Sequence, residues 1–153
     1  YRTCAILERG ALSCWGRNNT WQLGQNEVAG PFGPPDLATP VEVPLSATPT
    51  MVAGGDILFL GGGHTCAAGP ALDLHCWGWN SRGQAGLGTA VPDVHAPAIV
   101  PALARVEVIS AGGAHTCAIA SGELWCWGWN DDGQLGIASM AESRVPVRVM
   151  DLP

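Results

Sequence analysis

The feature that most constrains the fold of this chain is a motif that occurs three times. It reads Cys-Trp-Gly-Trp-Asn at residues 126–130 and 76–80, and Cys-Trp-Gly-Arg-Asn at residues 14–18. In each copy a glycine follows the cysteine at the same spacing (14 to 24, 76 to 86, 126 to 136). A second shared block, Arg-Thr-Cys-Ala or His-Thr-Cys-Ala, precedes each copy. Self-similarity at a fixed period indicates a repeat architecture.

The third repeat shows which elements each unit predicts. Residues 106–110 form a β-branched run, and residues 115–120 and 123–129 flank a Ser-Gly turn as the arms of a hairpin. Residues 145–149 read as a last strand, and Pro146 within it indicates a sheet edge. No segment shows an apolar period of 3.6 residues. We therefore predict an all-β chain forming a single domain over residues 1–153, with units at about 1–50, 51–104 and 105–153.

The repeats differ in length. Cys66 to Cys117 spans 51 positions, whereas Cys4 to Cys66 spans 62. We place the extra residues in loop insertions at about 25–39 and 45–56. Insertions in repeat proteins belong to surface loops, either on a binding face or in loops that touch nothing.

Composition excludes several classes of partner. The chain is 47% hydrophobic and 13% charged, with a net charge of -6. All seven basic residues are arginines and they form no cluster, which argues against nucleic acid and anionic membrane surfaces. No apolar run approaches the roughly 20 residues needed to span a bilayer, so we expect no direct membrane insertion.

The six cysteines occur as pairs around short turns, the layout of a hairpin with one cysteine on each arm. Opposed residues on antiparallel strands lie close enough for a disulfide bond. Zinc binding and free buried thiols remain as alternatives, although no Cys-x-x-Cys knuckle is present. Disulfides imply an oxidising location, which is extracellular, periplasmic or at the cell surface. The predicted pairs are Cys4/Cys14, Cys66/Cys76 and Cys117/Cys126.

The stretches AGGAHTCA, CWGWN and GQLG resemble the repeat of the regulator of chromosome condensation family. The resemblance covers essentially the whole chain, and the paired cysteines are similar to the secreted, disulfide-bearing bacterial branch. It implies β-propeller blades, one for each repeat of about 51–62 residues, as a partial propeller of a seven-bladed ring. Three blades do not close such a ring. We therefore expect a longer polypeptide, other chains or a partner to complete it.

Residues that recur in every unit are expected to serve the architecture. We predict that Trp15, Trp77 and Trp127 pack between blades. We also predict that His64 and His115, each beside a pair of small residues, hydrogen-bond the backbone of the neighbouring unit. Nucleotide exchange on a small GTPase, an activity found in this family, is intracellular and therefore conflicts with three disulfides.

Positions that differ between units are the candidates for partner binding. Arg17 replaces the tryptophan found at Trp79 and Trp129, so we expect this position to lie near solvent. Trp21 stands where the other units have glycine. The acidic turn after Trp129 could touch calcium but is more simply a turn. The candidate partner-binding residues are Arg17, Trp21, Trp79, Arg82, Trp129, Asp131 and Asp132.

No nucleophile, phosphate loop or catalytic triad pattern is recognisable. We predict a non-enzymatic interaction or scaffold module, with no catalytic residues, cofactor or metal, that binds a protein partner through its loops. The alternative is a structural subunit of an envelope or extracellular assembly whose other subunits cover the open blade edges. A carbohydrate-binding or hydrolytic module is a third, weaker reading, because clustered acids are missing.

Overall fold

The computed structural model describes residues 1–26, 33–57, 61–101 and 103–150, apart from the side chain of Leu72. Strands are the only regular elements in this part of the chain, which confirms the all-β prediction. They are β1 (Arg2–Ile6), β2 (Leu12–Gly16), β3 (Leu37–Glu42), β4 (Met51–Ile57), β5 (Gly62–Gly69), β6 (Leu72–Trp79), β7 (Asp93–Ile99), β8 (Val106–Ala111), β9 (His115–Ala120), β10 (Glu123–Gly128) and β11 (Ser143–Arg148).

The strands form three antiparallel sheets, each a meander in which consecutive strands are neighbours. The first blade is β1-β2-β3, the second is β4-β5-β6-β7, and the third is β8-β9-β10-β11. As predicted, Pro146 lies in an edge strand, β11, where its missing N–H costs no ladder hydrogen bond. The described residues contain no helix of the length and apolarity needed to cross a bilayer.

Each paired cysteine faces its partner directly across a hairpin. Cys4 is opposite Cys14, Cys66 is opposite Cys76, and Cys117 is opposite Cys126. All three pairs are disulfide-bonded in the structure, with Cα atoms 4.1 Å apart. Such close Cα atoms are characteristic of antiparallel pairs whose side chains approach each other between the ladder hydrogen bonds. Every bridge therefore lies within one blade.

The pairing of the third strand with the fourth is irregular in the second and third blades, next to the motif glycine. The register shifts between Cys76 and Gly78, where the glycine has φ 95°, and again at Gly128, where φ is 104°. A Cβ at Gly78 would lie 2.5 Å from the carbonyl oxygen of Gly63, so only glycine fits. A positive φ at this glycine is not an extended conformation, so it interrupts the regular alternation of side chains between Trp77 and Trp79.

The core runs between the blades as well as within them. Trp77 and Trp127 are fully buried, and a Cβ at Gly24 of the first blade would lie 2.7 Å from the indole nitrogen of Trp77. Gly86 of the second blade holds Trp127 in the same way. Burial of one tryptophan contributes at most about 5 kcal/mol by area. Trp77 and Trp127 therefore pack between blades, as predicted.

One predicted insertion proves to be partly strand. Of residues 45–56, those from Met51 onward belong to β4, because Val52 and Ala53 pair with β5. Gly54 and Gly55 also lie inside this strand. The other insertion, 25–39, ends in β3, and its residues 27–32 lie outside the described part of the chain.

Candidate functional site: blade joints and the loop face

The joint between the first and second blades is centred on one backbone carbonyl. The Gln22 oxygen accepts a hydrogen bond from Trp77 Nε1 at 3.0 Å and another from Thr65 Oγ1 at 2.7 Å. Both donors belong to the second blade, and both bonds are buried. A carbonyl with two donors uses both of its lone pairs.

The joint between the second and third blades repeats this arrangement. The Gln84 carbonyl oxygen accepts from Trp127 Nε1 at 2.9 Å and from Thr116 Oγ1 at 2.9 Å. The threonine of the His-Thr-Cys-Ala block and the tryptophan of the Cys-Trp-Gly motif therefore donate to the same carbonyl. This shared acceptor explains why both residues recur in the repeats.

The loop that presents each glutamine is held by side-chain hydrogen bonds. In the second blade, Asn80 Oδ1 accepts from the backbone N–H of Ala85 at 3.0 Å. The Gln84 side chain accepts from the N–H of Arg82, also at 3.0 Å. Equivalent bonds run from Leu23 to Asn18 and from Leu135 to Asn130. The asparagine and the glutamine of each repeat thus hold the loop in its conformation. In the first two blades both side chains are buried.

A further side chain from the preceding blade orients each threonine. His64 Nε2 lies 2.8 Å from Thr116 Oγ1, and Thr116 donates its own hydrogen to Gln84, so the histidine is the donor. His64 is completely buried, which lowers its pKa to about 3, with smaller contributions from the charges of Arg2 and His115. The predicted bond to a neighbouring backbone is wrong for His64, whose partner is a side-chain hydroxyl. Within the described residues the His115 ring makes no hydrogen bond.

Arg2 takes the place of this histidine in the first blade. Its Nε donates to Thr65 Oγ1 at 2.7 Å, and Thr65 donates to Gln22. Its guanidinium also forms an ion pair with Asp56 at 2.8 Å, although its side chain is only 3% exposed. Burial lowers the pKa of Arg2, and the charge of Asp56 opposes that shift. The joint between the first and second blades therefore has the same chain of hydrogen bonds, with an arginine in place of the histidine.

The loops that follow β2, β6 and β10 lie side by side, and we call residues 17–26, 80–92 and 129–142 the loop face. Backbone hydrogen bonds link this region across blades: Asn26 donates to the carbonyl of His95, and Gly88 donates to that of Arg144. All seven predicted partner-binding residues lie on the loop face or, in one case, at its margin. The marginal residue is Trp79.

Trp79 is not a solvent-facing residue, which corrects the sequence prediction. It is 9% exposed and packs over Gly62, where a Cβ would lie 2.6 Å from the Trp79 Cγ atom. The substitution by Arg17 in the first blade suggested exposure, but Arg17 is itself half-buried, beside Gly61. The positive φ of Gly78 directly precedes Trp79, and simple alternation along the strand does not predict it.

Arg82 and Trp129 are brought together across the joint between the second and third blades. The Arg82 guanidinium carbon lies 5.4 Å from the centroid of the half-buried Trp129 ring, within cation–π range. Glu142 bridges Arg82 at 3.4 Å and Arg144 at 3.2 Å. These four residues form the Arg82 cluster. Sequence reasoning missed Glu142 and Arg144, because neither belongs to a recurring motif.

Trp21 stacks on a histidine of the second blade. The rings of Trp21 and His95 lie 3.8 Å apart with 12° between their planes. Trp21 has φ 56°, in the left-handed region where its counterparts Gly83 and Gly133 have 79° and 74°. A bulky residue in this conformation is strained. The buried Trp21 Nε1 has no hydrogen-bond partner within the described structure, so this site is strained and incompletely satisfied.

Asp131 and Asp132 are exposed at the tip of the third loop. The Asp132 N–H donates to the Gln134 side chain at 3.0 Å, the same turn contact that Arg82 makes in the second blade. Nearby, Met140 is 66% exposed and its sulfur would lie 3.4 Å from a Cβ at Gly133. The third loop thus presents two carboxylates beside an exposed apolar side chain.

Two clefts open at the opposite end, where the cysteine hairpins turn. One lies between the second and third blades and has a volume of about 530 Å³, an apolar lining that includes Met51, Leu74 and Leu103, and Arg105. The other, of about 460 Å³, lies between the first hairpin turn and the linker that follows β3, beside the Arg9–Glu42 ion pair. Neither contains a residue predicted to bind a partner.

Sheets of antiparallel strands, stacked through one repeated joint, define a β-propeller of short repeats. A family model for the Regulator of chromosome condensation (RCC1) repeat matches residues 73–119 and 121–153, and a second RCC1 repeat model matches residues 106–134. The first model covers just over half of the chain. The chain belongs to the RCC1 repeat family.

Known relatives are similar to this chain over only part of their own length. The human protein Probable E3 ubiquitin-protein ligase HERC6 is 29% identical over 118 residues, which are 75% of this chain and 11% of HERC6. The crystal structure of Prp20p from Saccharomyces cerevisiae superposes with a TM-score of 0.81 at 20% identity, over 97% of this chain and 36% of Prp20p. The structure of the same yeast protein bound to Kap60 superposes with a TM-score of 0.80 at 19% identity, over 97% of this chain and 35% of the yeast chain. At these identities the structures show the shared fold.

Proposed function

We propose that this chain is a non-catalytic protein interaction module that binds a protein partner through its loop face. The Arg82 cluster is the observation that carries the proposal. It combines a half-buried tryptophan, two arginines and a carboxylate at a joint between blades. Tryptophan and arginine are the residues that most often dominate binding energy at protein interfaces.

The surrounding surface supports the same reading. Asp131 and Asp132 add negative charge to the third loop, and Met140 adds an exposed apolar contact. Prp20p has binding properties to Gsp1p and histones, and Kap60 is bound to it in the other yeast structure. Protein partners of that fold support a protein partner here, although this chain spans about a third of Prp20p.

We further propose that the chain works in an oxidising compartment: extracellular, periplasmic or at the cell surface. Three disulfides, one in each blade, support this location, because thiols are kept reduced in the cytosol. The assignment is tested on protein from its natural source. Alkylation before reduction should leave the mass unchanged, and alkylation after reduction should modify all six cysteines. Modification without reduction would contradict both the disulfides and the location.

The loop-face proposal is tested by partner capture with matched variants. Wild-type protein, Trp129→Ala and Arg82→Ala are immobilised and exposed to the extracellular and envelope fractions of the source cells. We expect both variants to lose a partner that the wild type retains, by about tenfold or more in affinity. Arg9→Ala, which removes an exposed ion pair at the opposite end, should retain it. Equal capture by all four proteins would overturn the proposal.

A further inference from the structure

The Arg82 cluster lies at a place where the two joints are closed in different ways. Thr20 and Arg82 occupy equivalent positions, because the backbone N–H of each donates to the glutamine side chain of its own loop. Across the first joint, the Gly63 N–H donates to the Thr20 hydroxyl at 3.2 Å. Across the second joint, the Arg82 guanidinium instead donates to Glu142 and lies over the Trp129 ring. The second joint therefore carries charged side chains where the first has a short polar contact.

Arg144 is held in place by the backbone of the second blade. Its guanidinium donates to the carbonyl of Ser81 at 3.2 Å and to that of Thr89 at 3.4 Å. A Cβ at Gly83 would lie 2.6 Å from Arg144 Cα, so the arginine packs directly on the turn of the second loop. The positive charge of Arg144 is therefore positioned before any partner arrives, which reduces the entropy lost on binding.

Glu142 divides its two carboxylate oxygens between the arginines. One oxygen lies 3.4 Å from Arg82 and the other 3.2 Å from Arg144, so neither guanidinium has a bidentate contact. Both distances exceed the 2.8 Å of the ion pair between Arg148 and Glu123. The three side chains are 32% to 40% exposed, and exposed ion pairs contribute little because water competes for both charges. Glu142 is therefore held weakly enough to be displaced.

The ion pairs of the cluster leave positive charge uncompensated. Two arginines share one carboxylate, and within the described residues the Arg82 side chain donates to Glu142 alone, although a guanidinium offers several N–H groups. A carboxylate that approaches from solvent can accept from the remaining N–H groups. Asp131 and Asp132, at the tip of the third loop, oppose a partner surface that is acidic throughout. The site therefore favours a single carboxylate among uncharged residues.

We propose that the loop face recognises one acidic side chain of its partner, and that Glu142 occupies the place of this carboxylate in the free protein. On binding, the partner carboxylate takes the N–H groups of Arg82 and Arg144, and Glu142 turns towards solvent. This inference rests on the proposed function, because it names the chemistry that the Arg82 cluster recognises. It has a diagnostic sign: removal of Glu142 strengthens binding, whereas removal of a partner contact or of a residue that only orients the arginines weakens it.

The probe is the peptide acetyl-Gly-Glu-Gly-amide, and acetyl-Gly-Gln-Gly-amide is its uncharged control. Each is titrated at low ionic strength into isotope-labelled protein, and NMR follows the arginine Nε–H signals. The chain has seven arginines and no lysine, so this spectrum is sparse, and Arg82→Ala and Arg144→Ala assign the two signals of interest. We expect the glutamate peptide to shift both signals and the glutamine peptide to leave them unchanged.

Glu142→Gln should raise the affinity for the glutamate peptide by about threefold or more, because two competing ion pairs are removed. Glu42→Gln is the matched control: it removes the same charge from the ion pair with Arg9 at the opposite end, and the affinity should not change. Equal or weaker binding by Glu142→Gln would overturn the proposal. Absence of any shift at the highest soluble peptide concentration, or equal binding of the two peptides, would overturn it as well.

The peptide titration and the partner capture can fail separately. If Arg82→Ala loses the captured partner but Glu142→Gln gains no affinity for the peptide, the loop face remains the binding surface and the carboxylate is rejected. If Glu142→Gln binds the peptide more tightly but all variants capture equally, the carboxylate site stands and the proposed function is overturned.

Discussion

The indole nitrogen of Trp77 lies 3.0 Å from the backbone carbonyl oxygen of Gln22, in the neighbouring blade. Trp127 makes the same bond to Gln84 at 2.9 Å. Trp15 is the third member of the series, and in the described part of the chain its indole has no such acceptor. The described structure thus contains two indoles with this hydrogen bond and one equivalent indole without it, and the chain can therefore provide its own control.

Replacing Trp77 by phenylalanine should destabilise the protein by about 2–4 kcal/mol, because it removes buried volume and leaves the Gln22 carbonyl with one donor. The matched change Trp15→Phe should cost less than about 1 kcal/mol. Urea unfolding followed by circular dichroism measures both. Equal losses would show that the joint hydrogen bond and its packing contribute nothing specific.

The strain at Trp21 predicts a reversal of the usual order of glycine and alanine. Both Trp21→Gly and Trp21→Ala remove the stack on His95, but glycine adopts φ 56° without strain. We expect Trp21→Gly to be the more stable variant by about 1 kcal/mol. At Trp15, within β2, the alanine variant should be the more stable one. If the glycine and alanine variants had the same order of stability at both positions, the strain at Trp21 would be refuted.

Stability should fall with acid because of His64. Its pKa is about 3 in the folded protein and about 6.5 in an unfolded chain, so between these values the unfolded state binds more protons. Folding stability contributed by the neutral ring is therefore full above pH 6.5 and is lost as the pH falls towards 3. The slope is at most about 1.4 kcal/mol per pH unit.

Unfolding measured between pH 5 and 7 should show a smaller slope in His64→Gln, whose amide can still donate to Thr116. Wild-type protein measured under the same conditions supplies the reference slope. Burial also lowers the pKa of His115 and raises that of Asp93. The two shifts have opposite effects on the pH dependence of stability, and both groups are still present in His64→Gln. An unchanged slope in that variant would contradict the assignment of the acid sensitivity to His64.

Opening one disulfide should cost about 2–3 kcal/mol in the chain-entropy treatment, because each closes a loop of about ten residues. The double variant Cys66→Ser/Cys76→Ser tests this in the second blade, and thermal unfolding measures the loss. Wild-type protein unfolded with reductant should show a larger loss than this variant. A double variant as stable as the oxidised wild type would show that the bridge does not stabilise the fold.

The sequence predicted the elements that depend on local pattern. Turn residues between paired cysteines set the hairpins, and the register that places Cys66 opposite Cys76 follows from them. The position of Trp79 could not be obtained in this way, because Gly78 has a positive φ where the register with β7 shifts. Alternation assumes an unbroken ladder, and only the neighbouring strands determine where it breaks.

Contacts between blades were the least predictable part. The hydrogen bond from His64 to Thr116 joins residues 52 positions apart, and neither residue type specifies the other. Arg2 stands at the position of the histidine, and it makes the same donation to Thr65 that His64 makes to Thr116. Glu142, which links Arg82 to Arg144, lies in a stretch that varies between repeats. Such pairs follow from the stacking of blades, which the repeat period alone does not determine.

All three disulfides lie within single blades, and none crosses a joint. A gain or loss of one whole repeat therefore leaves every remaining cysteine with its partner. The joint can likewise form between any two consecutive repeats, because its central acceptor is a backbone carbonyl present in every unit. A gene for such a chain can duplicate or delete repeats without creating an odd thiol, so the number of blades is free to change during evolution.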